Sequence, residues 1–154
     1  MKGIILATAL GLCATGEALF SPDDMIAFHT KKAQGMNATT PTGVSSSRGS
    51  LVYLDNGSNC DKSITAGFGF TLGSCVVRIN EGHGVYYSDC YSTASQIKFT
   101  FTECSDVLCK EDCKTYQMTE DKCSSDPEPY NGQVECASNV DAYENYDELK
   151  LHSK

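Results

Sequence analysis

The sequence predicts an all-β domain: a small disulfide-rich β-meander or sandwich built from three degenerate ~30-residue repeats, with a short N-terminal helix. Three observations carry that expectation. Eight cysteines follow an N-terminal export signal, and six of them fall into spaced pairs: Cys60 and Cys75, Cys90 and Cys104, Cys123 and Cys136. A tyrosine-bearing stretch precedes the first cysteine of each pair, at 51–55, 85–89 and 114–118, with first cysteines 30 and then 33 residues apart. The intervening runs are short and rich in β-branched and aromatic residues, as strands require.

Residues 1–18 have the parts of a secretory signal peptide: Lys2, an apolar run from Ile4 to Leu12, then small residues suited to cleavage after Ala18. Cleavage after Gly16 is the near alternative, and Glu17 ends the run well short of the ~20 apolar residues a spanning helix needs. The expected product is secreted, extracellular and not inserted in a membrane. Removing Cys13 with the signal leaves an even number of thiols, as a closed disulfide set requires.

Within 19–35, Ser21 can cap a short helix that has Pro22 in its first turn. Asp23 and Asp24 stand at its positive end, Lys31 and Lys32 at the other, and Gly35 is placed to stop it. Its apolar face of Met25, Ile26 and Phe28 is ragged, so the segment reads as a weakly docked helix or a pro-segment. A Ser/Thr/Gly-rich linker spans 36–49, and the cysteine-rich β domain spans 50–136. The clearest strand is 96–102, where Ile97, Phe99 and Phe101 alternate with Lys98, Thr100 and Thr102. Shorter strands are expected at 51–54, 68–72, 75–79, 85–87, 115–118 and 133–136, and an acidic tail at 137–154. Sequons at Asn37 and Asn56 lie in loop-like stretches and are the candidate glycosylation sites.

If each pair closes on itself, every bridge clasps a short loop and contributes about 3 kcal/mol by restricting the unfolded chain. Cys109 and Cys113 complicate that scheme. Residues 105–113 look like a short helix capped by Ser105, where cysteines four apart stand about 5–6 Å apart at Cβ. That is too far for a disulfide. Either the segment is a tight non-helical loop with a local bridge, or both cysteines reach other units.

The charge of −8 arises wholly after residue 102, where thirteen acidic side chains meet five basic ones. A nucleic-acid partner would need a basic surface, so that class is set aside. Zinc on Cys104, Cys109 and Cys113 would need reduced thiolates, which an oxidising compartment converts to disulfides. Asp55, Gly57, Asn59 and Asp61 alternate like a calcium loop, but Ala66 stands where the closing glutamate belongs. His83, in a glycine-flanked turn, reads as a surface residue rather than a base. No cofactor, metal ligand or catalytic residue is therefore expected. Tyr53, Tyr86 and Tyr116 occupy equivalent positions before the three first cysteines. Facing outward they would offer platforms to sugars or protein, and facing inward they would be core. In the tail, Tyr143 and Tyr146 among acids resemble tyrosine-sulfation substrates. The leading expectation is a non-enzymatic binding or structural module recognising carbohydrate or protein at a cell surface, wall or matrix. A protease inhibitor or toxin-like effector, and a small hydrolase, are the alternatives.

Overall fold

A computed structural model describes residues 21–39, 49–57, 59–78, 81–124 and 130–137. The segment expected to be a signal peptide, most of the expected linker and nearly all of the acidic tail lie outside them. Helix α1 covers Pro22–Ala33, and seven strands follow: β1 Ser50–Asp55, β2 Ala66–Thr71, β3 Val76–Arg78, β4 His83–Ser92, β5 Gln96–Cys104, β6 Lys114–Asp121 and β7 Gly132–Ala137. Each strand read from alternation has its counterpart among them. They form two antiparallel sheets, ordered β2-β1-β7 and β3-β4-β5-β6.

Helix α1 starts where the sequence says it should. Ser21 accepts the Asp24 N–H, and the Asp24 carboxylate accepts the Ser21 N–H in return, a capping box. Losing a cap of this kind costs about 1 kcal/mol. The ragged face nevertheless docks fully. Met25, His29 and Ala33 are buried at i, i+4 and i+8, with Ile26 buried beside them, in a stripe running into the main core. Beyond the helix, Met36 packs on that core and Thr39 pairs with Thr115 of β6.

Both sheets contribute to one core. Leu51, Tyr53, Phe70 and Val134 come from the first sheet, and Val85, Tyr87, Ile97, Phe99, Phe101, Tyr116 and Met118 from the second. Phe70 stacks on Tyr87 with centroids 4.4 Å apart, joining β2 to β4. Strand β1, central in its sheet, is also buried on its other face, where Val52 and Leu54 pack with Ile64 and Ala137. On the outer side of β5, Thr100 and Thr102 are buried too, because Gln117 donates to Thr100 and Thr102 shares a 3.1 Å hydrogen bond with Thr115.

The three-hairpin repeat does not form. Strands β1 and β2 pair, as do β4 and β5, but β6 and β7 belong to different sheets. The within-unit disulfides fail for the same geometric reason. Cys60 and Cys75 lie beyond opposite ends of β2, and six extended residues span roughly 20 Å. Cys104 lies opposite Gly84, six residues along β4 from Cys90. Cys123 faces Gln133 rather than Cys136. The bridges are instead Cys60–Cys123, Cys75–Cys109, Cys90–Cys136 and Cys104–Cys113. Cys90–Cys136 ties β4 of one sheet to β7 of the other, at the bulge where the β4–β5 register shifts between Ser88 and Tyr91.

Candidate functional site

Two places collect chemistry-bearing residues, one inside and one on the surface. Inside, the buried stripe of α1 carries His29, and the inward face of β6 (Tyr116, Met118, Glu120) carries a carboxylate. They meet. His29 Nε2 donates to Glu120 Oε1 at 2.6 Å, and the Tyr87 hydroxyl hydrogen-bonds Nδ1 at 2.9 Å. The Tyr53 hydroxyl donates to Glu120 Oε2 at 3.1 Å. The carboxylate thereby places a ring proton on Nε2 and uses both of its oxygens. One residue each from α1, β1, β4 and β6 closes this hub, and Phe99 and Phe101 pack their rings around the imidazole.

The hub is sealed. His29, Tyr53 and Tyr87 have no exposed surface, and Glu120 keeps only 8% of its own. Burial, then the Glu120 charge, pushes Tyr53 and Tyr87 well above a phenol's ordinary range. Tyr130, edge-to-face with Tyr53, is raised by burial, Glu120 and Asp121 in that order. A general base needs a substrate proton within hydrogen-bond reach. Here each ring nitrogen of His29 already faces a protein oxygen.

Sequence reasoning missed this pair because it treated the helix as peripheral. The available signals were a histidine in an apolar stripe and a glutamate in the inward register of a strand. Each marks a polar group that must find a buried partner.

On the surface, residues 105–113 form a compact non-helical loop, the alternative to the helix that their spacing suggests. Cys104 and Cys113 stand 4.0 Å apart at Cα, and the backbone at Cys109 and Asp112 is left-handed, with φ of 55° and 46°. The Asp106 carboxylate accepts N–H groups from Leu108, Lys110 and Glu111 at 2.7–3.0 Å, which holds its pKa below the usual carboxylate range, chiefly through Glu111. Ser105 closes the loop by donating to the Glu111 carbonyl.

The Cys75–Cys109 bridge lies across Gly84 and fastens this loop to β3. A Cβ on Gly84 would stand 2.6 Å from Cys109 Sγ and 2.9 Å from Cys75 Sγ. Val77 and Cys104 are the register partners of Gly84 on either side, so their side chains share the face that carries the bridge. Beside it Val77, Val107 and Leu108 are 46%, 38% and 64% exposed, large apolar side chains left open to water.

The candidate ligand-binding tyrosines are not platforms. Tyr53 and Tyr116 belong to the main core, and Tyr86 is buried opposite Thr102 on the other face of β4. Tyr91, at 53%, is the exposed aromatic ring among the described residues. His83, in the first position of β4, has Nε2 3.5 Å from Glu81 and 3.7 Å from Glu103, and Glu81 also pairs with Arg78. Among the described residues no group of three His, Cys, Asp or Glu side chains is arranged to hold a metal ion. Asn37 is exposed. Asn56 is buried and its Nδ2, the atom a glycan would occupy, donates to Gln133 at 3.3 Å. The tail tyrosines and residues 125–129 fall outside the described residues, and no described helix is long and apolar enough to cross a membrane.

No protein-family model, curated protein or solved structure matches the chain.

Proposed function

We propose that the protein is a secreted, non-enzymatic binding module that takes a protein partner on the surface formed by β3 and residues 105–113. The observation that carries this reading is the exposure of Val77, Val107 and Leu108 around the Cys75–Cys109 bridge. Apolar side chains grouped on a rigid frame are what a protein interface needs. They give up little conformational freedom on binding, and they desolvate surface that water holds poorly. Four disulfides in a domain without tryptophan favour an oxidising, extracellular setting.

Carbohydrate is the second ligand class, and Tyr91 is the feature that favours it, since a sugar ring stacks on an exposed aromatic. A single ring is a narrow platform beside three clustered aliphatic side chains, so protein is preferred. An enzymatic reading gains no support from His29, whose two nitrogens face Tyr87 and Glu120 inside the core.

The test compares wild type, Leu108→Asp and Tyr91→Ala for retention on immobilised extracellular proteins and on wall or matrix polysaccharides. Binding to a defined protein that weakens at least tenfold in Leu108→Asp and persists in Tyr91→Ala is expected. Retention by polysaccharide that depends on Tyr91 instead would move the function to sugar recognition. Leu108 is the most exposed of the three, so its replacement should shift unfolding free energy by no more than about 0.5 kcal/mol.

A further inference from the structure

We infer that Cys75–Cys109 is a reversible redox clasp that assembles and releases the surface formed by β3 and the 105–113 loop. Its importance for binding rests on the contact reading above; its chemistry does not. Three observations combine. Cys75 is the one exposed cysteine of the eight, whereas Cys104 is buried and the other six are half-buried. Thiol exchange needs a sulfur that an incoming thiolate can reach, and Cys75–Cys109 is the bridge with an exposed cysteine residue at one end.

The bridge also joins two bodies that are otherwise held separately. The 105–113 loop keeps its shape through Cys104–Cys113, the Asp106 carboxylate and the Ser105–Glu111 hydrogen bonds, none of which involves Cys75. Strand β3 is a three-residue edge strand, paired only to β4 among the described strands. Finally, the exposed apolar side chains are divided between them: Val77 stands on β3, Val107 and Leu108 on the loop. The Val107 carbonyl lies 3.5 Å from Cys75 Sγ, so the bridge sets their spacing.

The reductant is a dithiol. One of its thiolates attacks Cys75 Sγ, forming a mixed disulfide and expelling the Cys109 thiolate, which takes up a proton. The second thiol then attacks the reductant's own sulfur in that mixed disulfide, which releases Cys75 as a thiol. Two electrons and two protons pass to the protein, and the reductant leaves as a cyclic disulfide. Reoxidation runs the same exchange backwards. Opening frees β3 to fray and separates Val77 from Val107 and Leu108, while the core and the loop persist.

The full chain, exposed to graded dithiothreitol and pulsed with N-ethylmaleimide, decides the matter by peptide mapping. Cys75 and Cys109 should be labelled together, at least tenfold faster than the other six cysteines. Amide exchange should then rise at Val76–Arg78 and remain unchanged at 105–113. A folded Cys75→Ser/Cys109→Ser protein should show the same exchange pattern. Should that variant fail to fold, the partly reduced wild type carries the measurement alone. Another bridge opening first or at an equal rate, or unchanged exchange in β3, overturns the clasp. Leu108-dependent binding that survives its opening overturns the regulatory role. Leu108→Asp binding as well as wild type would instead sink the contact surface and leave the labelling result standing.

Discussion

The hub around His29 and the loop around Cys109 are both rigid, yet they are held by opposite means. In the hub, four side chains from four elements satisfy one another with water excluded. In the loop, the Cys104–Cys113 bridge and one carboxylate hold nine residues that bury little. The hub depends on the whole domain being folded, whereas the loop depends on almost nothing beyond itself. The interior is held by mutual hydrogen bonding of titratable groups, and the crosslinked exterior is where shape is maintained against solvent.

The sharpest way to break this contrast is Glu120→Ala. It takes the carboxylate acceptor from the His29 Nε2–H and the Tyr53 hydroxyl, which are left 3.3 Å from each other in the core, and a buried donor without its acceptor costs about 1–3 kcal/mol. Urea unfolding should register that loss, with residues 105–113 keeping their amide protection until the global transition. A variant less than about 1 kcal/mol below wild type would show that the hub contributes little.

Gly84→Ala tests the surface instead. Its methyl group would press on both sulfurs of the clasp, and overpacking of this kind costs about 1–3 kcal/mol. The penalty should shrink in a Cys75→Ser/Cys109→Ser background, a coupling that a double-mutant cycle isolates. Equal penalties in both backgrounds would mean that the strain lies elsewhere.

Alkali and acid separate the two regions more gently. Tyr53, Tyr87 and Tyr130 are raised in the folded state above the ordinary value of 10.0, so their contribution is intact below that pH and is lost as pH rises beyond it. Unfolding free energy should fall by up to about 1.4 kcal/mol per pH unit for each of them. Asp106 has the opposite sign. Its folded value lies below 3.8, so its support is present above that pH and disappears as acid protonates it. The smallest expected effect is lower amide protection, relative to the intrinsic exchange rate, at 108, 110 and 111 in acid while Cys104–Cys113 stays closed. Alkaline stability that tracks unburied tyrosines would remove the hub's special status.

The strands were legible because alternation is a local signal: Ile97, Phe99 and Phe101 pointed to the core without knowledge of what they met. The start of α1 was legible too, through Ser21, Pro22 and Asp24. Disulfide partners were not, because they depend on which strands end side by side. Cys136 meets Cys90 only because β7 crosses to the sheet of β1 while β6 stays with β5. Regular cysteine spacing suggested a repeat that the sheet order does not contain. The hub was half legible, since both His29 and Glu120 sit on buried periods, but nothing in either segment named the other. The surface loop at 105–113 is foreshadowed by the irregular position of Cys109 and Cys113, and a non-helical loop is one of the two readings their spacing leaves open.

The Cys90–Cys136 bridge also decides how the domain would carry mechanical load. Strands β1 and β7 run antiparallel with Ser50 beside Ala137, so tension between those ends would open their hydrogen bonds one rung at a time. Cys136 stands one residue inside that end. A pull arriving through Ala137 passes straight into a covalent bond and is delivered to β4, in the other sheet, before the second rung can part. The end of β7 is thus tethered covalently to the second sheet rather than only to its neighbour β1.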